Sequence, residues 1–252
     1  MSTPAAPFEG RTALVTGAGA GIGEAVARAL AAGGARVTVA DRDGDAAERV
    51  AGDIGGQAWV VDLLDTAALA ELSLDCDVLV NNAGIQHVSP VEEFPPEVFH
   101  RILTLMLEVP FLLVRAALPH MYAQGFGRVV NISSVHGLVA SPNKSAYVAA
   151  KHGLEGLSKT VALEGGGRGV TSVCVNPGYV QTALVAGQVA DQARTRGIPE
   201  DEVLDKVFLA ESAVKRMVTP QEVGELVAWL AGPHGGMANG SSYTLDGGWM
   251  AH

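Results

Sequence analysis

Seven short runs of apolar and β-branched residues recur along this chain, separated by stretches with helical spacing. The runs are "TALVTG" (12–17), "ARVTVAD" (35–41), "QAWVVD" (57–62), "CDVLVNN" (76–82), "GRVVNIS" (127–133), "GVTSVCVN" (169–176) and "SSYTLD" (241–246). A strand with one face in water alternates polar and apolar residues. These runs are nearly continuous, so they read as strands covered on both faces, which means a parallel sheet. Helical patterns lie between them, near 21–33, 44–53, 66–72, 96–123, 143–164 and 220–231. This alternation specifies an α/β fold. It is a Rossmann-type, doubly wound sheet of about seven parallel strands flanked by helices, formed as one domain over residues 1–252. A chain of this length can bury one large core. Two places break the rhythm. The helix after the third strand is short. A mixed-polarity segment at 183–218 follows the sixth strand and is expected to be a helical lid over a ligand site, because open α/β sheets bind ligands at the carboxyl edge of their strands.

The first strand runs into "TGAGAGIGEAVARAL", a glycine turn followed by an alanine-rich helix. The spacing is G-x-x-x-G-x-G, through Gly17, Gly21 and Gly23, with Ile22 between the last two. Glycines let the backbone approach a pyrophosphate, and the N-terminus of the following helix attracts its charge. Asp41 ends the second strand, 18 residues after Gly23. A carboxylate there accepts hydrogen bonds from an adenosine ribose and repels a 2′-phosphate, which favours NAD over NADP. Arg42 follows directly and is able to pair with a phosphate. Asp62 and Leu63, after the third strand, are placed to meet the adenine edge. "NNAG" at 81–84 closes the fourth strand with amides that either bond across the strand ends or hold the cofactor.

The densest reactive run is "SSVHGLVASPNKSAYVAAKHG" at 133–153, which holds Ser134, His136, Lys144, Tyr147 and Lys151. Tyr147 and Lys151 are four apart and share a helix face. A tyrosine has an ordinary pKa of about 10, and a neighbouring ammonium favours its phenolate, so the pair reads as a base for a hydroxyl proton. Ser134, 13 residues earlier, can hold the substrate oxygen in line with Tyr147. His136 and Lys144 are surplus to that task. With Gln86 and Gln188 they make a set of two potential cations and two amides, suited to a small carboxylate.

Thr16-Gly17-x-x-x-Gly21-Ile22-Gly23, Asn81-Asn82-Ala83-Gly84, Ser134, Tyr147-x-x-x-Lys151 and Pro177-Gly178 occur in this order over essentially the whole chain. In this the sequence resembles the short-chain dehydrogenase/reductase family. Within it, "NNAGIQHVSPVEEFP" and "NPGYVQTALVAGQV" are similar to the bacterial members that oxidise D-3-hydroxybutyrate. The resemblance implies catalysis by Ser134, Tyr147 and Lys151 and an NAD site made by Gly17, Gly21, Ile22, Gly23, Asp41, Asp62, Leu63, Asn81, Ala83, Gly84, Tyr147, Lys151, Pro177, Gly178, Val180 and Thr182. It also implies a substrate pocket of Gln86, Ser134, His136, Lys144, Tyr147, Tyr179 and Gln188 around the carboxylate of a short 3-hydroxy acid, and a homotetramer built through the two long helices and the C-terminal strand region. Two positions depart from the pattern. Met106 stands where the family usually has an asparagine, which reduces a four-residue relay to three, so Met106→Asn is expected to raise kcat. Tyr179 stands where the hydroxybutyrate enzymes tend to have Trp.

Other classes are excluded or kept as alternatives. The net charge of −10 argues against nucleic acid and anionic membranes as partners. Two isolated cysteines, Cys76 and Cys174, make neither a disulfide framework nor a zinc spacing, so no metal is expected. The N-terminus lacks an apolar leader and no run is expected to reach membrane-spanning length, which together read as cytoplasmic. One alternative is a dehydrogenase for a neutral polyol, sugar or cyclic alcohol. Another is a weakly catalytic NAD-binding redox sensor, which only Met106 supports.

Overall fold

The computed structural model describes residues 6–251. The start of the N-terminal stretch and His252 lie outside the described residues. Seven parallel strands form one sheet in the order β3-β2-β1-β4-β5-β6-β7. They are β1 (Thr12–Thr16), β2 (Arg36–Asp41), β3 (Gln57–Val60), β4 (Val78–Asn81), β5 (Gly127–Ile132), β6 (Val170–Pro177) and β7 (Ser242–Leu245). Every residue of β4, β5 and β6 is buried, as their unbroken apolar runs require. The register places Val15 beside Val39 on one side and Val80 on the other. The strand order reverses between β1 and β4, and at that switch point the crossovers leave to opposite faces and open a crevice.

The helices are α1 (Gly21–Ala32), α2 (Gly44–Ile54), α3 (Thr66–Ala70), α4 (Pro96–Leu103), α5 (Val109–Gln124), α6 (Ser145–Gly165), α7 (Ala183–Ala186), α8 (Val189–Arg196) and α9 (Pro220–Ala231). Local chemistry fixes their ends. Asp43 caps α2 by accepting from the Ala46 amide, and Gly55 ends it in the left-handed conformation. Thr219 and Glu222 form a reciprocal capping box on α9, with Pro220 in the first turn. One core layer joins Val26, Leu30, Val227 and Leu230 to one face of the sheet. The other joins Leu112, Leu113, Met121 and Val161 to the opposite face.

The expected helix at 96–123 is not continuous. A π-helical turn, Thr104–Glu108, joins α4 to α5 and contains Met106. Pro110 has no amide hydrogen to give the Met106 carbonyl four residues back, so the regular ladder cannot run through. Contrary to the expectation from sequence, the segment Pro96–Gln124 is long and apolar enough by composition to span a bilayer. More than half of an apolar 18-residue part of it is buried within the fold, and Ile102, Met106, Leu113 and Met121 pack in the core. The 183–218 segment is helical in its first part, with α7, α8 and a π turn at Leu204–Phe208, and irregular over 209–218. It is tied down at both ends by a parallel bridge between Val180 and Val218.

Candidate active site

A cavity of about 350 Å³ lies at the carboxyl edge of the sheet, over the switch point. Its dinucleotide end is built from the turn after β1. Gly17 and Gly21 have φ of 61° and 59°, which side chains resist. Ala20 at the start of α1 offers no side-chain cap among the described residues, and Ala20, Gly21 and Ile22 line the cavity, so the helix N-terminus suits a pyrophosphate. Asp41 Oδ2 accepts from the Gly19 amide at 2.9 Å and Oδ1 from the Asp43 amide at 3.1 Å. The carboxylate is thereby held at the cavity wall with lone pairs to spare for ribose hydroxyls. These features fit a dinucleotide.

Two of the expected cofactor residues do not line the cavity. A Cβ on Gly23 would sit 2.2 Å from the Gly17 carbonyl oxygen, so this glycine permits close packing of helix on loop and touches no ligand. Asn81 is buried in the sheet, donating from Nδ2 to Asn131 Oδ1 at 2.8 Å. Its neighbour Asn82 lines the cavity instead, because side-chain direction alternates along a strand and position 82 is the first beyond its end. Asn82 Nδ2 donates to the carbonyls of Thr16 and Gly17 at 2.8 and 3.0 Å. The Thr16 hydroxyl accepts from the amides of Asn82 and Ala83 at 3.0 and 3.1 Å. The β1 and β4 turns thus brace each other. Gly17, Gly21, Ile22, Asp41, Asp62, Leu63, Ala83, Gly84, Pro177, Gly178, Val180 and Thr182 all line the cavity, and Arg42 and Arg101 join them.

At the other end the structure gathers Gln86, Ser134, His136, Lys144, Tyr147, Lys151, Tyr179 and Gln188 around one space. Ser134 follows β5 in extended conformation, and its hydroxyl accepts from the His136 amide at 3.1 Å and bonds the Tyr147 phenol. Lys151 lies one turn beyond Tyr147 on α6 and donates to the Ile132 carbonyl at 2.6 Å, with Nζ 5.5 Å from the Tyr147 ring centre. Burial lowers the Lys151 ammonium to about 8. Burial also raises the Tyr147 phenol, with the Ser134 bond opposing it. The sequence led us to expect a phenol lowered by Lys151. In the protein alone, desolvation dominates, and the group that opposes it is Ser134 rather than Lys151.

The anion pocket also differs in one respect. Burial and the adjacent Lys144 charge push His136 down to about 3, so it is a neutral ring and not a second cation. Its Nε2 is buried without a hydrogen-bond partner among the described residues. The ring stacks on Trp249 at 5.9 Å and meets Tyr147 edge-on at 6.2 Å. Trp249, from beyond β7, was not foreseen as a site residue, since nothing in "DGGWMAH" marks it apart from apolarity. Lys144 is 4 % exposed and forms no ion pair among the described residues. Its Nζ donates to Tyr179 Oη at 3.2 Å. Burial and the nearby Arg196 lower it to about 8. Asn143, with φ of 66°, turns the chain just before it. Lys144 sits at the N-terminus of α6, where the helix dipole also disfavours a cation. Gln188 Nε2 donates to the Leu184 carbonyl at 3.1 Å, leaving a second N–H, while its Oε1 has no partner among the described residues. Gln86 Oε1 accepts from the His87 amide at 3.1 Å. Tyr179 is stacked on Phe208 at 4.3 Å, which fastens the pocket wall to the 183–218 segment.

A family model described as short chain dehydrogenase matches residues 11–193. The chain is 43 % identical to a D-beta-hydroxybutyrate dehydrogenase of Rhizobium meliloti (strain 1021), covering 96 % of this chain and 99 % of that one. It is 41 % identical to a D-beta-hydroxybutyrate dehydrogenase of Cupriavidus necator, covering 97 % and 99 %. Among solved structures, a putative NAD(P) dependent gluconate 5-dehydrogenase from Beutenbergia cavernae with bound NADP superposes with a TM-score of 0.86 at 37 % identity, over 98 % of this chain and all of that one.

Proposed function

The chain belongs to the short-chain dehydrogenase family and is an oxidoreductase using a nicotinamide cofactor, and from that premise we propose that it oxidises D-3-hydroxybutyrate, or a close short 3-hydroxy acid, reversibly with NAD. The observation that carries the substrate class is Lys144. A buried ammonium with no carboxylate partner among the described residues, at the wrong end of a helix, is destabilising unless a ligand supplies the anion. The neutral His136 supports the same reading as a donor of a hydrogen bond from Nε2 in one tautomer, beside the second N–H of Gln188. Similarity to enzymes named for hydroxybutyrate points the same way. NAD is favoured over NADP by the Asp41 carboxylate at the end of β2.

When bound, the cofactor's nicotinamide supplies the hydride acceptor and a positive charge. The protein's residues do the rest. Lys144, His136, Gln86 and Gln188 hold the carboxylate end of the acid, which sets the distance to the 3-hydroxyl. Ser134 bonds that hydroxyl and aligns it with Tyr147. Tyr147 takes the hydroxyl proton in oxidation and returns it in reduction. Lys151, while protonated, lies beside the Tyr147 ring and stabilises the phenolate. We further read the protein as cytoplasmic, consistent with two buried free thiols, and as a homotetramer.

The test is an assay of NADH absorbance with D- and L-3-hydroxybutyrate against NAD+ and NADP+. The expected result is turnover of the D acid with NAD+. Turnover of cyclic alcohols or polyols with none of the acid would overturn the substrate assignment. A preference for NADP+ would overturn the role given to Asp41.

A further inference from the structure

Beyond the catalytic triad, α6 carries a third inward group at the same four-residue spacing. Tyr147, Lys151 and then Glu155 follow one helical face. Among the described residues only two carboxylates are buried, and the other, Asp77, lies at the opposite end of the sheet. Glu155 is 5 % exposed and, among the described residues, makes no salt bridge within ion-pair distance. Its Oε1 accepts from Asn176 Nδ2 at 2.6 Å, and its Oε2 from the Ser242 hydroxyl at 2.7 Å. Asn176 Nδ2 gives its other hydrogen to the carbonyl of Ser134 at 2.8 Å. The carboxylate therefore reaches, through one amide, the backbone that carries the catalytic hydroxyl. The loop is shaped to admit it. A Cβ on Gly137 would lie 2.9 Å from Glu155 Oε1 and 2.5 Å from Ser133 Oγ.

An apolar residue would fill this position at lower desolvation cost. We propose that Glu155 is a positioning residue for the reaction, acting through Asn176 on Ser134 and as the counter-charge one helical turn behind Lys151. The groups facing Lys151 are Tyr147 and Glu155 from α6, Cys174 from β6 and the Ile132 carbonyl from β5. Cys174 and then Glu155 oppose the desolvation of the Lys151 ammonium, and burial raises the Cys174 thiol, which favours its neutral form. Asn176, Ser242 and Cys174 face Glu155 from β6 and β7.

The inference rests on the dehydrogenase roles of Ser134, Tyr147 and Lys151 but not on the identity of the acid. Its test compares the wild type with Glu155→Gln and Asn176→Ala in the full chain, each checked for a cooperative melt. Two readouts are taken: the pH profile of kcat/KM with whichever alcohol the wild type oxidises, and the titration of Lys151 followed by NMR of Nζ in 15N-lysine-labelled protein. Glutamine retains hydrogen-bonding groups and removes the charge. In Glu155→Gln, loss of the ammonium on the alkaline side should move to lower pH by about one unit in both readouts, the scale expected for an adjacent opposite charge. In Asn176→Ala, kcat should fall about tenfold through a loosened Ser134, with the Lys151 titration unmoved. A folded Glu155→Gln with the wild-type profile and titration overturns the counter-charge. A folded Asn176→Ala with wild-type kcat overturns the link to Ser134. A wild type inactive on every alcohol sinks the proposed function instead, and the NMR titration still decides the counter-charge.

Discussion

Lys144 carries a pH signature of its own. Its folded pKa of about 8 lies below its ordinary value of 10.5. The unfolded chain thus binds more protons between those values, so this residue makes stability rise with pH across that window. Substrate binding should follow the opposite course. As pH climbs through about 8 the ammonium is lost and KM for an anionic acid should rise. Lys144→Ala should raise that KM by about ten- to a hundredfold, the worth of a hydrogen bond to a charged group, and flatten its alkaline rise. Steady-state kinetics from pH 6 to 10 checks both, and an unchanged KM would mean a neutral substrate. Single residues also show the limit of reading a motif from sequence. "NNAG" marks the turn, yet Asn82 and not Asn81 meets the cavity. His136 is recognisable as a ligand group, but its charge state depends on burial and on Lys144, neither of which is visible in a string of letters.

At the scale of elements, the glycine turn, the strand ends and α6 assemble the site, and the π turn Thr104–Glu108 abuts it. Met106 is 1 % exposed and packs with Ile102, Ala146 and Ala150. Its terminal methyl lies 3.4 Å from where a Cβ on Gly84 would stand. Placing asparagine there buries an amide among apolar groups, which costs about 1–3 kcal/mol if it stays unpaired. Met106→Asn should therefore lower Tm by several degrees while raising kcat per folded molecule, if a relay behind Lys151 is what the chain lacks. Calorimetry and active-site-normalised kinetics separate the two effects. Unchanged or lower kcat in a folded variant rules out the relay. Proline placement explains why a continuous helix was expected and a π turn found: periodicity reports a buried face, while Pro110 decides which carbonyl loses its donor.

At the scale of the molecule, an outer face formed by α4, α5 and α6 suits assembly. Phe111 is half exposed on α5, beside a shallow groove lined by Leu103, Leu107, Phe111 and Leu157. A second copy covering this face is the expectation behind the proposed tetramer. Light scattering after size exclusion should give four times 25.9 kDa, and Phe111→Glu should shift it to smaller species. A monomeric wild type would contradict it.

By itself the sequence determined the layers, the parallel sheet, the glycine turn and the membership of Ser134, Tyr147 and Lys151 in one site. These depend on local rules: unbroken apolar runs, glycine at close approaches, and four-residue spacing along one helix, with Ser134 placed by the family resemblance. Only the tertiary structure decided the electrostatics. Desolvation raises Tyr147, makes His136 neutral and lowers Lys144, which has no acidic partner among the described residues. It also joined Glu155, Asn176 and Ser134 from three distant parts of the chain. Such effects arise from water excluded by several elements at once, and no single stretch of sequence records how dry its side chains will become.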